Sequence, residues 1–276
     1  MAAAMGPFTE QSLSPLLRLP GELRNRIYEY TTFEPHGLFY GTSAIGKPTL
    51  FSNFERTHEC NQLKYACRQL YAETKGLGLG CGMITFAFNT SSTLVGSSAR
   101  SVVELFLDFV ISLDDKWFAR LSLVVLKAPT PPKSTCPSCK FGGGNEGDMK
   151  RLIQLCRNNS HLTVRVDLPG LHFNEGYRLL TKAIPVILAF RDIDIGESLF
   201  PGLFTFDYTA TWAKEFRVKH GVVPSKMCNF RLVPQGQLNT GEFRESVAKF
   251  LAENPRITSE VGTWLSYAET WSQNGL

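Results

Sequence analysis

Apolar positions along the first third of the chain recur at helical spacing. Leu16, Leu19, Leu23, Ile27 and Tyr30 fall three and four residues apart, which predicts a helix over about 16–30 with these residues on one face. Pro20 suits a first turn, where a missing N–H costs nothing, and Glu22 favours the positive end of the helix dipole. Glycines, Pro48 and short aromatic stretches then mark 37–54 as a hairpin or irregular insertion. A second helix is expected over about 61–75, with Leu63, Ala66, Cys67, Leu70 and Tyr71 on its apolar side, closed by Gly76, Gly78 and Gly80.

Beyond residue 80 the period switches between strand and helix. Met83–Phe88 reads as a strand, 101–113 as a buried helix and 121–126 as an apolar strand. A stretch rich in Pro, Gly and Ser, 129–147, reads as a mobile loop. Asp148 is placed as the cap of a helix ending at Asn158, and 162–168 alternates as a strand. Asn174 is the expected cap of a helix that Pro185 breaks or kinks, and Asp192–Ile195 alternates like a further strand. A strand near 229–233 and two amphipathic helices complete the pattern. In the last of these Ile257, Val261, Trp264, Leu265, Ala268 and Trp271 make one stripe, read as core. Successive β-α-β units predict parallel pairing with right-handed crossovers. No fixed repeat period is visible.

The fold expected is therefore α+β: a helical module over 1–80, carrying the insertion at 37–54, packed on an α/β domain over 81–276. The chain has 276 residues, 43% hydrophobic, with 20 Phe, enough for a substantial core. Lysines and arginines exceed acids by only 29 to 25, without runs of like charge, so nothing calls for nucleic acid as a partner. The leading residues lack the positive and apolar regions of a signal peptide, and no apolar run is long enough for a bilayer. These features place the protein in the cytoplasm or nucleus, off the membrane, with its seven cysteines mostly reduced.

Two segments carry a more specific pattern. Leu19-Pro20-Gly21-Glu22-Leu23-Arg24-Asn25-Arg26-Ile27-Tyr28 resembles the opening helix of an F-box, and Cys67-Arg68-Gln69-Leu70-Tyr71-Ala72-Glu73 resembles its later helix. In order, LPxELRxxIY and CRQxYxE resemble the signatures of a large group of fungal F-box-like proteins. The resemblance covers roughly the first third of the chain. It implies docking to the Skp adaptor of cullin–RING ubiquitin ligases, with the rest of the chain recruiting a protein for ubiquitination. Carried over position by position, Leu19, Pro20, Leu23 and Ile27 would supply apolar contacts and Cys67 the packing of the second helix. The sequence departs from the general F-box in its longer gap and in having Leu70 or Tyr71 where Trp is usual. The alternative is an F-box-like scaffold with no ligase role, in which Leu19, Leu23 and Ile27 bury themselves against Leu63, Leu70 and the α/β domain.

A third reading is a hydrolase or metal-dependent enzyme with its site at the strand ends, where Asp167, Asp192, Asp194 and a histidine would gather. Cys136 and Cys139 have chelating spacing, but a structural zinc needs four ligands and no second pair accompanies them. They stand as weak metal candidates. His161, His172 and His220 have no nucleophile motif beside them, and there is no GxSxG, HExxH or phosphate loop. No catalytic residue and no cofactor is assigned.

Overall fold

A computed structural model describes residues 14–35, 37–42, 48–52, 58–80, 82–87, 101–127, 146–193, 207–220 and 229–276. The chain is of mixed α/β type and divides into two units. One takes in Met1–Thr85 together with Asp114–Ser122, the other Phe86–Leu113 and Leu123–Leu276.

In the first unit, α1 (Gly21–Thr32) is followed by an antiparallel pair, β1 (Leu38–Thr42) and β2 (Pro48–Phe51), in register Phe39↔Phe51 to Thr42↔Pro48. The described residues of the 37–54 insertion thus form an antiparallel strand pair. Leu38, Tyr40 and Phe51 are buried, and the outer side of β2 is continued by the Phe51↔Glu59 bridge. The second predicted helix is broken in two. A 3-10 turn at Leu63–Tyr65 precedes α2 (Arg68–Thr74), because Cys67 is extended and caps α2 through its sulfur, which accepts from the Leu70 N–H at 3.4 Å. Gly76, at φ 78°, ends the element as its left-handed conformation allows. The unit also includes the first three residues of β3 (Met83–Ala87) and the short α4 (Asp115–Phe118), from farther along the chain.

The second unit is the predicted alternation. α3 (Val102–Ser112) is capped by Ser101, whose hydroxyl accepts from the Glu104 N–H at 2.9 Å. β4 (Leu123–Lys127), β5 (Thr163–His172) and β6 (Phe230–Gln235) pair in parallel, with Leu126↔Val166 and Val166↔Leu232 in register. Between them run α5 (Glu146–Asn158), α6 (Tyr177–Arg191) and α7 (Asp207–His220). Val124, Val125 and Leu126 are buried in succession, as suits a parallel strand covered on both faces. In β5 the buried Val164, Val166 and Leu168 alternate with half-buried Thr163, Arg165 and Asp167. Phe86 packs against Phe106 and Phe109 at ring separations of 5.2 and 5.4 Å. α8 (Thr240–Glu253) and α9 (Val261–Asn274) follow; of the expected stripe Trp264, Leu265, Ala268 and Trp271 are buried core, while Ile257, ahead of the helix, and Val261 are half-buried.

Four local expectations are corrected. Asp148 lies inside α5, buried and 3.4 Å from the Ser101 hydroxyl, because the helix begins earlier, at Glu146. α6 starts after a 3-10 turn, at Gly176 rather than on an Asn174 cap. It then continues unbroken across Pro185. Buried Ala183, Ile184, Val186 and Ile187 hold the helix by packing, which outweighs one lost backbone bond. Ile193 lies outside any strand, because Asp192 turns left-handed at φ 58° and closes α6. Residues 194–206 and most of 129–147 lie outside the described residues.

Candidate functional site

The two signature segments meet through a carboxylate. Arg24 on α1 donates to Glu73 on α2 in a fork, Nε to Oε2 at 3.1 Å and Nη2 to Oε1 at 3.0 Å. The Tyr28 hydroxyl donates to Oε2 at 2.7 Å and Gln69 Nε2 to Oε1 at 2.9 Å. Each carboxylate oxygen therefore accepts two bonds, and the charge-assisted fork fixes the angle between the helices. The third guanidinium nitrogen, Nη1, donates to the Leu19 carbonyl at 2.6 Å and so ties down the chain entering α1. Alongside, buried Asn61 donates to the Thr74 carbonyl at 2.8 Å and holds the end of α2.

The protonation states follow from this geometry. Burial, and then the bond to Glu73, push the Tyr28 hydroxyl up to about 12. Burial alone would raise Glu73, but the donors Gln69, Tyr28 and Arg24 together outweigh it and hold its carboxyl below the usual range.

The clamp decides which way α1 faces. At about 100° per residue, Arg24, Tyr28 and Thr32 share the inward side of the helix, and Tyr28 and Thr32 are buried. The apolar series falls roughly 120° away. Leu23 is 48% exposed, Ile27 36% and Tyr30 82%, and Pro20 at the head of the helix is exposed too. The amphipathic pattern of α1 is thus turned over: its polar signature residues point in, and its apolar stripe points to solvent. Consecutive apolar side chains left exposed along one helix face mark an interaction surface more than scattered ones do.

Of the residues expected to dock, Pro20, Leu23 and Ile27 come together on this stripe. Leu19 is half-buried at its edge, beside the carbonyl bonded by Arg24. Cys67 is half-buried and serves α2 as its cap. Leu23 and Ile27 are not buried against Leu63 and Leu70. Arg24, Tyr28, Gln69 and Glu73 were not picked out by periodicity, although all four stand in the two signature segments. Their pairing across 49 residues has no local trace.

Asp167 and Asp192, the described aspartates of the strand-end reading, each have a setting of their own. Asp167 lies level with Val233 of β6, near Lys127 and Arg165, and burial raises its carboxyl despite those two cations. Asp192 closes α6 and accepts from Arg217 at 2.7 Å, while its neighbour Arg191 bonds the carbonyl of Phe230, the first residue of β6. Among the described residues no group of three or more His, Cys, Asp or Glu is placed to hold a metal, and Cys136, Cys139 and Asp194 lie outside those residues. Among the described residues no helix is long and apolar enough to cross a membrane. No protein-family model, curated protein or solved structure matches the chain.

Proposed function

We propose that the protein is an interaction protein that docks through the α1 stripe onto a Skp-type adaptor of a cullin–RING ubiquitin ligase, leaving the rest of the chain to hold a recruited protein. The observation that supports this reading is the orientation of α1. A helix free to choose would bury Leu23, Ile27 and Tyr30; here the Arg24–Glu73–Tyr28 clamp holds them outward. A rigid helix presenting apolar side chains at three- and four-residue spacing fits a hydrophobic groove, and the clamp lowers the ordering cost of binding. Pro20 contributes by fixing the chain before the first turn, at φ −51° and ψ 146°. Cys67 acts at one remove, by starting α2 where Gln69 and Glu73 reach the clamp.

Calorimetric titration of the full chain with a recombinant Skp-type adaptor tests the reading. A saturable one-to-one complex is expected. Absence of heat and of co-elution at concentrations of tens of micromolar, about the weakest affinity a functional receptor would show, would remove it.

A further inference from the structure

The first unit holds a second surface, on the remaining side of α1. Asn25, Glu29 and Phe33 follow one another at four-residue spacing, roughly 120° from both the apolar stripe and the clamp. With Leu77, Trp117 and Arg120 they line an open cleft of about 830 Å³. Its far wall is built with care. The Trp117 ring lies on the backbone at Gly76, where an added Cβ would come within 2.6 Å of two ring carbons. The Arg120 guanidinium sits 4.9 Å from the same ring's centre, with the Lys116 ammonium at 5.2 Å. Stacking of this kind orders a guanidinium while leaving its N–H edge free.

The charges in the cleft are unevenly committed. Glu73 also lines it, but Arg24, Tyr28 and Gln69 already occupy both its oxygens. Among the described residues, the Arg120 guanidinium has no carboxylate partner, and the Glu29 carboxylate and Asn25 amide have no hydrogen-bond partner. A free cation ordered on one wall calls for a carboxylate. On the other wall, Asn25 and Glu29 are about 6 Å apart along the helix, one rise of four residues. That matches the roughly 6.6–6.8 Å between N–H groups on the same side of an extended chain. Phe33 on the α1 wall, Trp117 on the far wall and Leu77 add apolar surface to the cleft. The volume suits several residues of peptide, and Glu29 disfavours a bare anion.

We infer that this cleft binds an extended peptide segment of a partner protein, with an Asp or Glu side chain on Arg120 and an adjacent apolar side chain against Trp117 and Phe33. The inference is independent of adaptor docking, which uses a different face of α1.

The test is selection of a random linear peptide library on the full chain, followed by fluorescence-polarisation binding of the enriched peptides. Two variants report on the site. Arg120→Glu reverses the cation at an exposed position. Gly80→Phe fills the cleft from a site at φ −96°, where an added Cβ meets nothing closer than 3.8 Å. Enriched peptides should share an acidic residue beside an apolar one and lose about tenfold or more in affinity with either variant, the scale of a charge-assisted fork. A Glu→Lys peptide should regain binding to Arg120→Glu, which a misfolded variant would not allow. The Leu23→Asp/Ile27→Asp protein should still bind these peptides. No enrichment over the Gly80→Phe protein, enriched peptides without an acidic residue, or peptides lost only with the α1 stripe variant would each overturn the proposal.

Discussion

At the scale of single residues, Glu73 is the group whose loss should cost most. Glu73→Gln keeps the shape of the side chain but leaves the partly buried Arg24 without its counter-charge and Tyr28 with a weaker acceptor. Hydrogen bonds to charged groups carry about 1.5–3 kcal/mol each, so a loss of about 2–3 kcal/mol is expected by urea unfolding. A cycle with Arg24→Met should show coupling between the two sites. The pH dependence has a defined sign. Glu73 is held below its ordinary value, so its stabilisation is present above the normal carboxylate range and fades as pH falls through that lowered value. Tyr28 is raised, so its contribution is complete below the ordinary tyrosine range and fades as pH climbs to about 12. The Glu73→Gln protein should lose the acid limb of this profile. An opposite effect is expected at Thr85, whose buried hydroxyl has no hydrogen-bond partner among the described residues. Thr85→Val replaces the stranded group by a methyl and should raise stability by about 1 kcal/mol in the same unfolding assay.

At the scale of elements, period and burial diverge in an instructive way. Helical spacing identified α1, yet its apolar series is the exposed side, because a fork between residues far apart in sequence sets the rotation of the helix. Periodicity reports that a helix has two kinds of face; it does not report which one a distant carboxylate will claim. α2 came out shorter than the pattern of Leu63 to Tyr71 suggests, since Cys67 interrupts the run as a cap. α6 came out longer, since packing of Ile184 and Ile187 overrides the Pro185 signal. The turn after α2 offers a test of its own. Gly76 is both left-handed and pressed against Trp117, so Gly76→Ala adds backbone strain and a steric clash together. A loss of about 3 kcal/mol is expected, read as a lower urea midpoint at unchanged slope, from the combined cost of the two effects.

At the scale of the whole chain, the parallel alternation of the second unit was legible. Runs such as Val124–Leu126 and the alternating Val164, Val166 and Leu168 carry their strand type locally. The membership of the first unit was less so, because Asp114–Ser122 joins it from beyond α3 and brings Trp117 and Arg120 to the cleft. Pro20, Leu23 and Ile27, the residues proposed to dock, could be named from the signature segments, whereas the clamp that exposes them required three dimensions. Whether α1 presents these side chains to a Skp-type adaptor is decided by comparing the adaptor affinity of the native chain with that of Leu23→Asp/Ile27→Asp. Both positions are exposed, so the variant should keep its helical circular dichroism and its thermal midpoint. If docking runs through this stripe, the folded variant loses about a hundredfold or more in affinity, as when central apolar anchors of an interface are replaced by charges. Equal binding of the two proteins would contradict it.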